Sequence, residues 1–213
     1  MMYTKEWAFI HIPKTSGMNF KKHLKENRHH AVGYPKLPSP RYMYIHQPIS
    51  YWIENSTVPQ QYQWITIVRN PYSRLVSWYY FLKQTTIDPV SGKHIADPRS
   101  TDLISNFETF DEFVNENVLG LVTGGKRWEE FKKGGGLWRM WWTQSKFIEG
   151  DHKVKIFHIE DLSELEDFVG FKFAHTRHNN SFHNPWQDYY TNELKDVVYE
   201  RYREDFENFG YDR

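Results

Sequence analysis

From Trp7 to Phe20 the chain reads WAFIHIPKTSGMNF: an uncharged apolar run, a break at Pro13, a Lys-Thr-Ser-Gly turn, and the start of an amphipathic segment. No other stretch constrains the fold as much. A short apolar run, a breaker and then helical spacing specify a strand, a loop and a helix in that order. The predicted helix runs from about Ser16 to Glu26, with Phe20 and Leu24 facing inward and Lys21, Lys22 and Lys25 outward.

The loop between them has a chemistry of its own. Backbone N–H groups at a helix start attract anions, a glycine lets a phosphate approach, and Lys14 adds a full charge. This is not the commoner nucleotide loop, in which glycine precedes the lysine, the next hydroxyl binds magnesium, and a second strand supplies a metal-binding aspartate. Here Lys14 precedes Gly17, and the second uncharged run, Trp64 to Val68, ends at Arg69. Arginine cannot hold magnesium, but its forked donors suit a phosphate. The pair points to a ligand with two separated anionic groups and no required metal.

Further along, Tyr42 to Ile45 predicts a short strand ending at His46, and Trp64 to Val68 a buried parallel strand. Asn70 caps and Pro71 opens a helix that carries Ser73, Arg74, Ser77 and Tyr80. Apolar spacing predicts a helix from about Asn106 to Val118, a strand over Val154 to Ile159, a helix starting over Asp161 to Phe168, and a closing helix capped by Thr191. Residues 85–105 and the glycine-rich basic run from Gly120 to Gly136 read as loops, the latter as a lid or a solvated surface. Strands alternating with helices imply a parallel sheet covered on both faces.

At 213 residues and 39% hydrophobic content, the chain fits one α/β domain over residues 1–213. A formal net charge of zero argues against a protein that coats nucleic acid, and the absence of cysteine excludes disulfides, thiolate metal sites and cysteine nucleophiles. The aromatic share of 18%, with nine tryptophans, is expected to build the core. No apolar run approaches the roughly 20 residues of a membrane span, and the first strand starts by Trp7, so the expectation is a soluble cytoplasmic chain without a signal peptide.

IPKTSGMNF together with ITIVRNPYSRLVSWYYF resembles the two nucleotide-binding motifs of sulfotransferases that use 3′-phosphoadenosine 5′-phosphosulfate (PAPS). The likeness is to the carbohydrate branch, of heparan and Golgi type, with its Pro-Lys-Thr-Gly-Gly-Thr loop. It continues through YIHQPISYW, WTQSKFI, KIFHIEDL, RHNNS and YREDFENFGY, so it covers most of the chain in order. The resemblance implies a P-loop-like three-layer α/β fold with a central parallel sheet flanked by helices. It also implies PAPS as donor, adenosine 3′,5′-bisphosphate (PAP) as product, a hydroxyl-bearing acceptor of carbohydrate type, no metal, and no nucleic acid partner.

Residue by residue, Lys14 matches the family lysine that contacts the 5′-phosphosulfate and steadies the bridging oxygen as the S–O bond breaks. Thr15, Ser16, Gly17, Met18 and Asn19 match the loop whose N–H groups reach the same phosphate. Arg69 and Ser77 match the pair that holds the 3′-phosphate, and Arg177, with Ser181, resembles a late loop that closes over the nucleotide. His46 stands where resembling carbohydrate enzymes carry a catalytic histidine, and an ordinary pKa of about 6.5 suits a base.

Three positions depart from the family pattern. Ser16 stands where the branch commonly has a second glycine, a small cost if its backbone is helical, and Met18 and Asn19 replace hydroxyl residues. The remaining candidates read as structural: His11 within the first strand, Arg74 as a brace, Glu160 as a cap, and His175, His178 and His183 as loop histidines. Two other readings stay open, a magnesium-dependent kinase and a nucleotide-binding relative without activity.

Overall fold

The computed structural model describes residues 2–4, 6–26, 46–55, 62–83, 107–115, 139, 141–173 and 183–213. In chain order the regular elements are β1 (Met2–Tyr3), β2 (Trp7–Ile10), α1 (Gly17–Glu26), α2 (Ile49–Asn55), β3 (Gln63–Val68), α3 (Pro71–Lys83), α4 (Phe110–Val114), β4 (Val154–His158), α5 (Ser163–Val169) and α6 (Asn192–Phe209). They fall into two compact units, residues 1–69 with 142–179 and residues 70–141 with 180–213. No helix among the described residues is long and apolar enough to cross a membrane.

The first unit is built on a sheet of order β1-β2-β3-β4. Strands β2, β3 and β4 run parallel, with Ala8 opposite Trp64 and Trp64 opposite Val154. β2 is buried throughout and β3 from Trp64 onward, as expected of parallel strands that lack a wet face. Inside the ladder the Thr66 hydroxyl donates to the Ile10 carbonyl at 2.9 Å, so the one polar side chain of the run is satisfied. On one face Phe9, Ile65, Ile67 and Phe157 pack with Phe20 and Leu24 of α1 and with Leu165 and Val169 of α5.

β1 adds an antiparallel edge strand, Met2 opposite Phe9, that nothing in the sequence pattern announces. Two residues are too few to show a period.

The second unit is helical. Asn70 Oδ1 accepts from the Tyr72 and Ser73 N–H groups at 3.0 and 3.3 Å, and Pro71 takes the first position of α3, as the sequence predicts. α3 is buried nearly all round, and its Tyr72, Leu75, Val76, Trp78 and Tyr79 form one core with Phe113, Trp141 and the inner face of α6. Trp78 and Trp141 meet edge to face with ring centroids 4.1 Å apart, so the high aromatic content of this unit goes into its core. Arg74 lies in the same core, where burial lowers its pKa and Tyr202 and Asp205 oppose that shift. α6 opens at Thr191, whose hydroxyl accepts from the Leu194 N–H at 3.2 Å.

The described part of the predicted 106–118 helix is shorter, Phe110–Val114, and a Thr109–Glu112 capping box fixes its start. Phe107 lies ahead of that box and is still buried. The predicted strand over Tyr42 to Ile45 and the two long loops over 85–105 and 120–136 lie outside the described residues.

Candidate functional site

The loop leaves β2 at Ile10 and is tied back on itself by the buried Thr15 hydroxyl, which donates to the Ile12 carbonyl at 3.0 Å. Lys14 and Ser16 both have φ near 66, in the left-handed range. The condition under which Ser16 costs little, a helical backbone, is therefore not met: its carbonyl accepts the first helical bond, from the Phe20 N–H at 3.0 Å, but the residue itself lies just outside the helix. Each non-glycine residue in that range costs about 1–2 kcal/mol, so the surrounding structure must hold the loop in place. As at any helix start, the first N–H groups of α1 have no intrahelical partner and suit an anion.

Gly17 needs its missing side chain for space rather than for backbone freedom. A Cβ there would lie 2.1 Å from His11 Cδ2 and 2.3 Å from His11 Nε2. The imidazole of His11 thus packs directly under the start of α1. His11 stands one residue beyond β2 rather than within it, and burial first, then the neighbouring His46, holds its pKa well below the ordinary value. It is a neutral ring at neutral pH.

His46 leans on the same residue. Its Nδ1 lies 3.0 Å from the His11 carbonyl, and the two rings are 4.4 Å apart. A carbonyl can only accept, so Nδ1 carries the hydrogen, and in neutral His46 the lone pair belongs to Nε2.

Lys14 and Arg69 come together across the tips of β2 and β3. Arg69 Nη1 donates to the Lys14 carbonyl at 3.4 Å, and the pKa of Lys14 is lowered from 10.5 to about 7, by burial first and by Arg69 second. Two cations crowded at one helix start repel each other, and an anion seated between them reverses that repulsion and restores the lysine charge.

At the same turn Asn19 Oδ1 is buried without a hydrogen bond. Turned by half a rotation, the same amide presents N–H donors there, which an anionic oxygen accepts. The residues present therefore fit a phosphate group.

Met18, at the same turn, is 48% exposed, the one large apolar side chain left open among the described residues. Ser77 is buried on α3 and belongs to the second unit. Arg177 lies outside the described residues. His183 is described, with its Nδ1 2.6 Å from the Asn184 carbonyl, and no group of three or more His, Asp or Glu side chains among the described residues is arranged to hold a metal ion.

Of the residues that build the site, His11 reads from the sequence as structural within the strand, and only its contact with Gly17 reveals its place; Gln144 is not singled out at all. Gln144 lies in the WTQSKFI stretch and bonds both main-chain groups of Arg69, 75 positions away in the chain.

Compared with models of protein families, residues 3–212 match the one described as the sulfotransferase family. A search of curated proteins returned no match.

Proposed function

The chain belongs to the sulfotransferase family, and we propose that it moves the sulfuryl group of PAPS onto a hydroxyl of a carbohydrate acceptor by direct in-line displacement. The observation that carries this reading is the hydrogen bond from His46 Nδ1 to the His11 carbonyl, beside a loop that pairs Lys14 with Arg69. It puts the hydrogen of neutral His46 on Nδ1 and the lone pair on Nε2, on a ring packed against the residue from which the loop departs. Attack by a hydroxyl on a sulfuryl group requires a base and a charged donor.

In this mechanism Lys14 and the N–H groups of the α1 start hold the 5′-phosphosulfate. His46 Nε2 takes the acceptor proton as the acceptor oxygen forms its bond to sulfur. The S–O bond to the 5′-phosphate breaks, and Lys14 stabilises the charge that collects on the leaving oxygen. Arg69 holds the 3′-phosphate, the role its motif match implies, and Ser77 and Arg177 match further nucleotide-binding positions of the family. The products are a sulfate ester and PAP. The transferred group carries a single charge, so this chemistry makes no demand for a metal ion.

The assignment of donor, acceptor class and site residues follows the resemblance of the motifs, and the geometry above supports it. Its test is transfer of labelled sulfate from PAPS to a panel of hydroxyl acceptors, sugars against phenols and simple alcohols, in the presence of EDTA. Sulfated sugar is the expected product. Labelled phenols with unlabelled sugars would correct the acceptor class, and no transfer to any acceptor would leave a nucleotide-binding relative.

A further inference from the structure

At the tip of β3 the sheet runs out of partners. The Val68 carbonyl still has one, the Ile159 N–H at 3.0 Å. One residue later, the Arg69 N–H donates to Gln144 Oε1 at 2.9 Å and the Arg69 carbonyl accepts from Gln144 Nε2 at 2.7 Å. A primary amide offers an acceptor and a donor side by side, so one side chain pairs both main-chain groups of one residue. The assignment of the amide is fixed, because the reversed orientation would face N–H to N–H and oxygen to oxygen.

Gln144 is itself held rigidly. It is fully buried and sits in a turn where the Thr143 hydroxyl accepts from the Lys146 N–H at 3.2 Å and the Gln144 carbonyl accepts from the Phe147 N–H at 3.0 Å. Buried Phe147 anchors the other side of that turn. The guanidinium of Arg69 therefore starts from a backbone fixed by Gln144 and ends against the Lys14 carbonyl.

We propose that Gln144 is a positioning residue for Arg69, fixing the direction in which the guanidinium leaves the strand tip and so the selectivity of the site for a 3′-phosphate. This rests on the reading of Arg69 as the 3′-phosphate ligand. A misplacement of about 1 Å in such a charged contact is enough to lose most of its worth.

The test compares affinities for adenosine 3′,5′-bisphosphate and adenosine 5′-phosphate by calorimetry, with thermal unfolding measured alongside. The wild-type chain should favour the bisphosphate. In Gln144→Met that preference should fall at least about tenfold while 5′-phosphate affinity stays within about twofold, and adding Arg69→Ala should remove little more.

Gln144→Glu gives a second readout that does not depend on the methionine variant folding. Its carboxylate opposes the Arg69 carbonyl. Once protonated it again offers one donor and one acceptor, so the preference should recover relative to wild type as the pH falls. A discriminating wild type with an unchanged ratio in the variants, or an equal loss for both nucleotides, overturns the positioning role. A wild type that does not discriminate overturns the reading of Arg69 and the proposal with it.

Discussion

At the end of β2 the backbone turns through two non-glycine residues at φ 66, Lys14 and Ser16, whereas at the end of β3 Arg69 keeps both main-chain groups paired to one buried amide. The two tips carry the two cations of the site, and they hold them differently. Arg69 is charged at any working pH and its backbone is already fixed. Lys14 sits on a strained turn, with a pKa near 7 that leaves it only partly charged in neutral solution. The strand tip is preformed, and on the proposed reading an anionic ligand completes the loop. An anion seated there would accept from the first N–H groups of α1 and favour the charged form of the lysine.

The largest effect should come from removing the conditional cation. Lys14→Ala should lower kcat/KM by about 1,000-fold or more and weaken bisphosphate binding as well, since the same group serves the bound and the reacting phosphate. His46→Ala separates the two functions: kcat should fall about 100-fold or more, with bisphosphate affinity unchanged. Near-normal turnover of His46→Ala in the labelled-sulfate assay would remove the base from the mechanism.

Gly17→Ala tests how the loop is supported. Its new methyl meets the His11 ring, an overpacking that costs about 1–3 kcal/mol, so bisphosphate affinity should drop about tenfold. His11→Ala in the same chain should restore it, because the obstructing ring is gone and the carbonyl that orients His46 remains. Failure of that rescue would mean the glycine is required by the phosphate and not by His11. The smallest change is Ser16→Gly, which relieves one left-handed residue and should raise stability by about 1 kcal/mol in a denaturant titration.

How much of this was legible in the sequence follows from the range of each interaction. The buried strands, the Asn70–Pro71 helix start, the Thr191 cap and the strand–loop–helix around Lys14 are local patterns, and the structure contains them. The adjacency of Lys14 and Arg69 is inherent in a parallel pair of strands whose tips lie side by side. What was not legible depends on contacts without a periodic signal.

For Ser16 the sequence says only that it costs little if its backbone is helical, and nothing in its neighbours signals the left-handed conformation it takes. The need for glycine at position 17 arises from a ring six residues earlier, and the pairing of Gln144 with Arg69 from a turn brought in by a different strand. Edge strand β1 is two residues long, below the length at which any pattern can be read.

The claim that a metal-independent, two-phosphate nucleotide completes the loop is tested most directly by titrating adenosine 3′,5′-bisphosphate into the chain in EDTA from pH 7 to pH 9. Lys14 has a pKa of about 7 in the free protein against an ordinary 10.5, so above about 7 the ligand must recruit a proton to bind a charged lysine. Without ligand the unfolded chain holds more protons across that window, and stability gains from this group as the pH rises. Expected are saturable binding without metal, proton uptake on binding, an affinity that falls by up to about tenfold per pH unit above 7, and loss of that pH dependence in Lys14→Ala. Binding that requires magnesium, tighter binding of ATP with magnesium than of the bisphosphate, or an affinity indifferent to pH in the wild-type chain would contradict it.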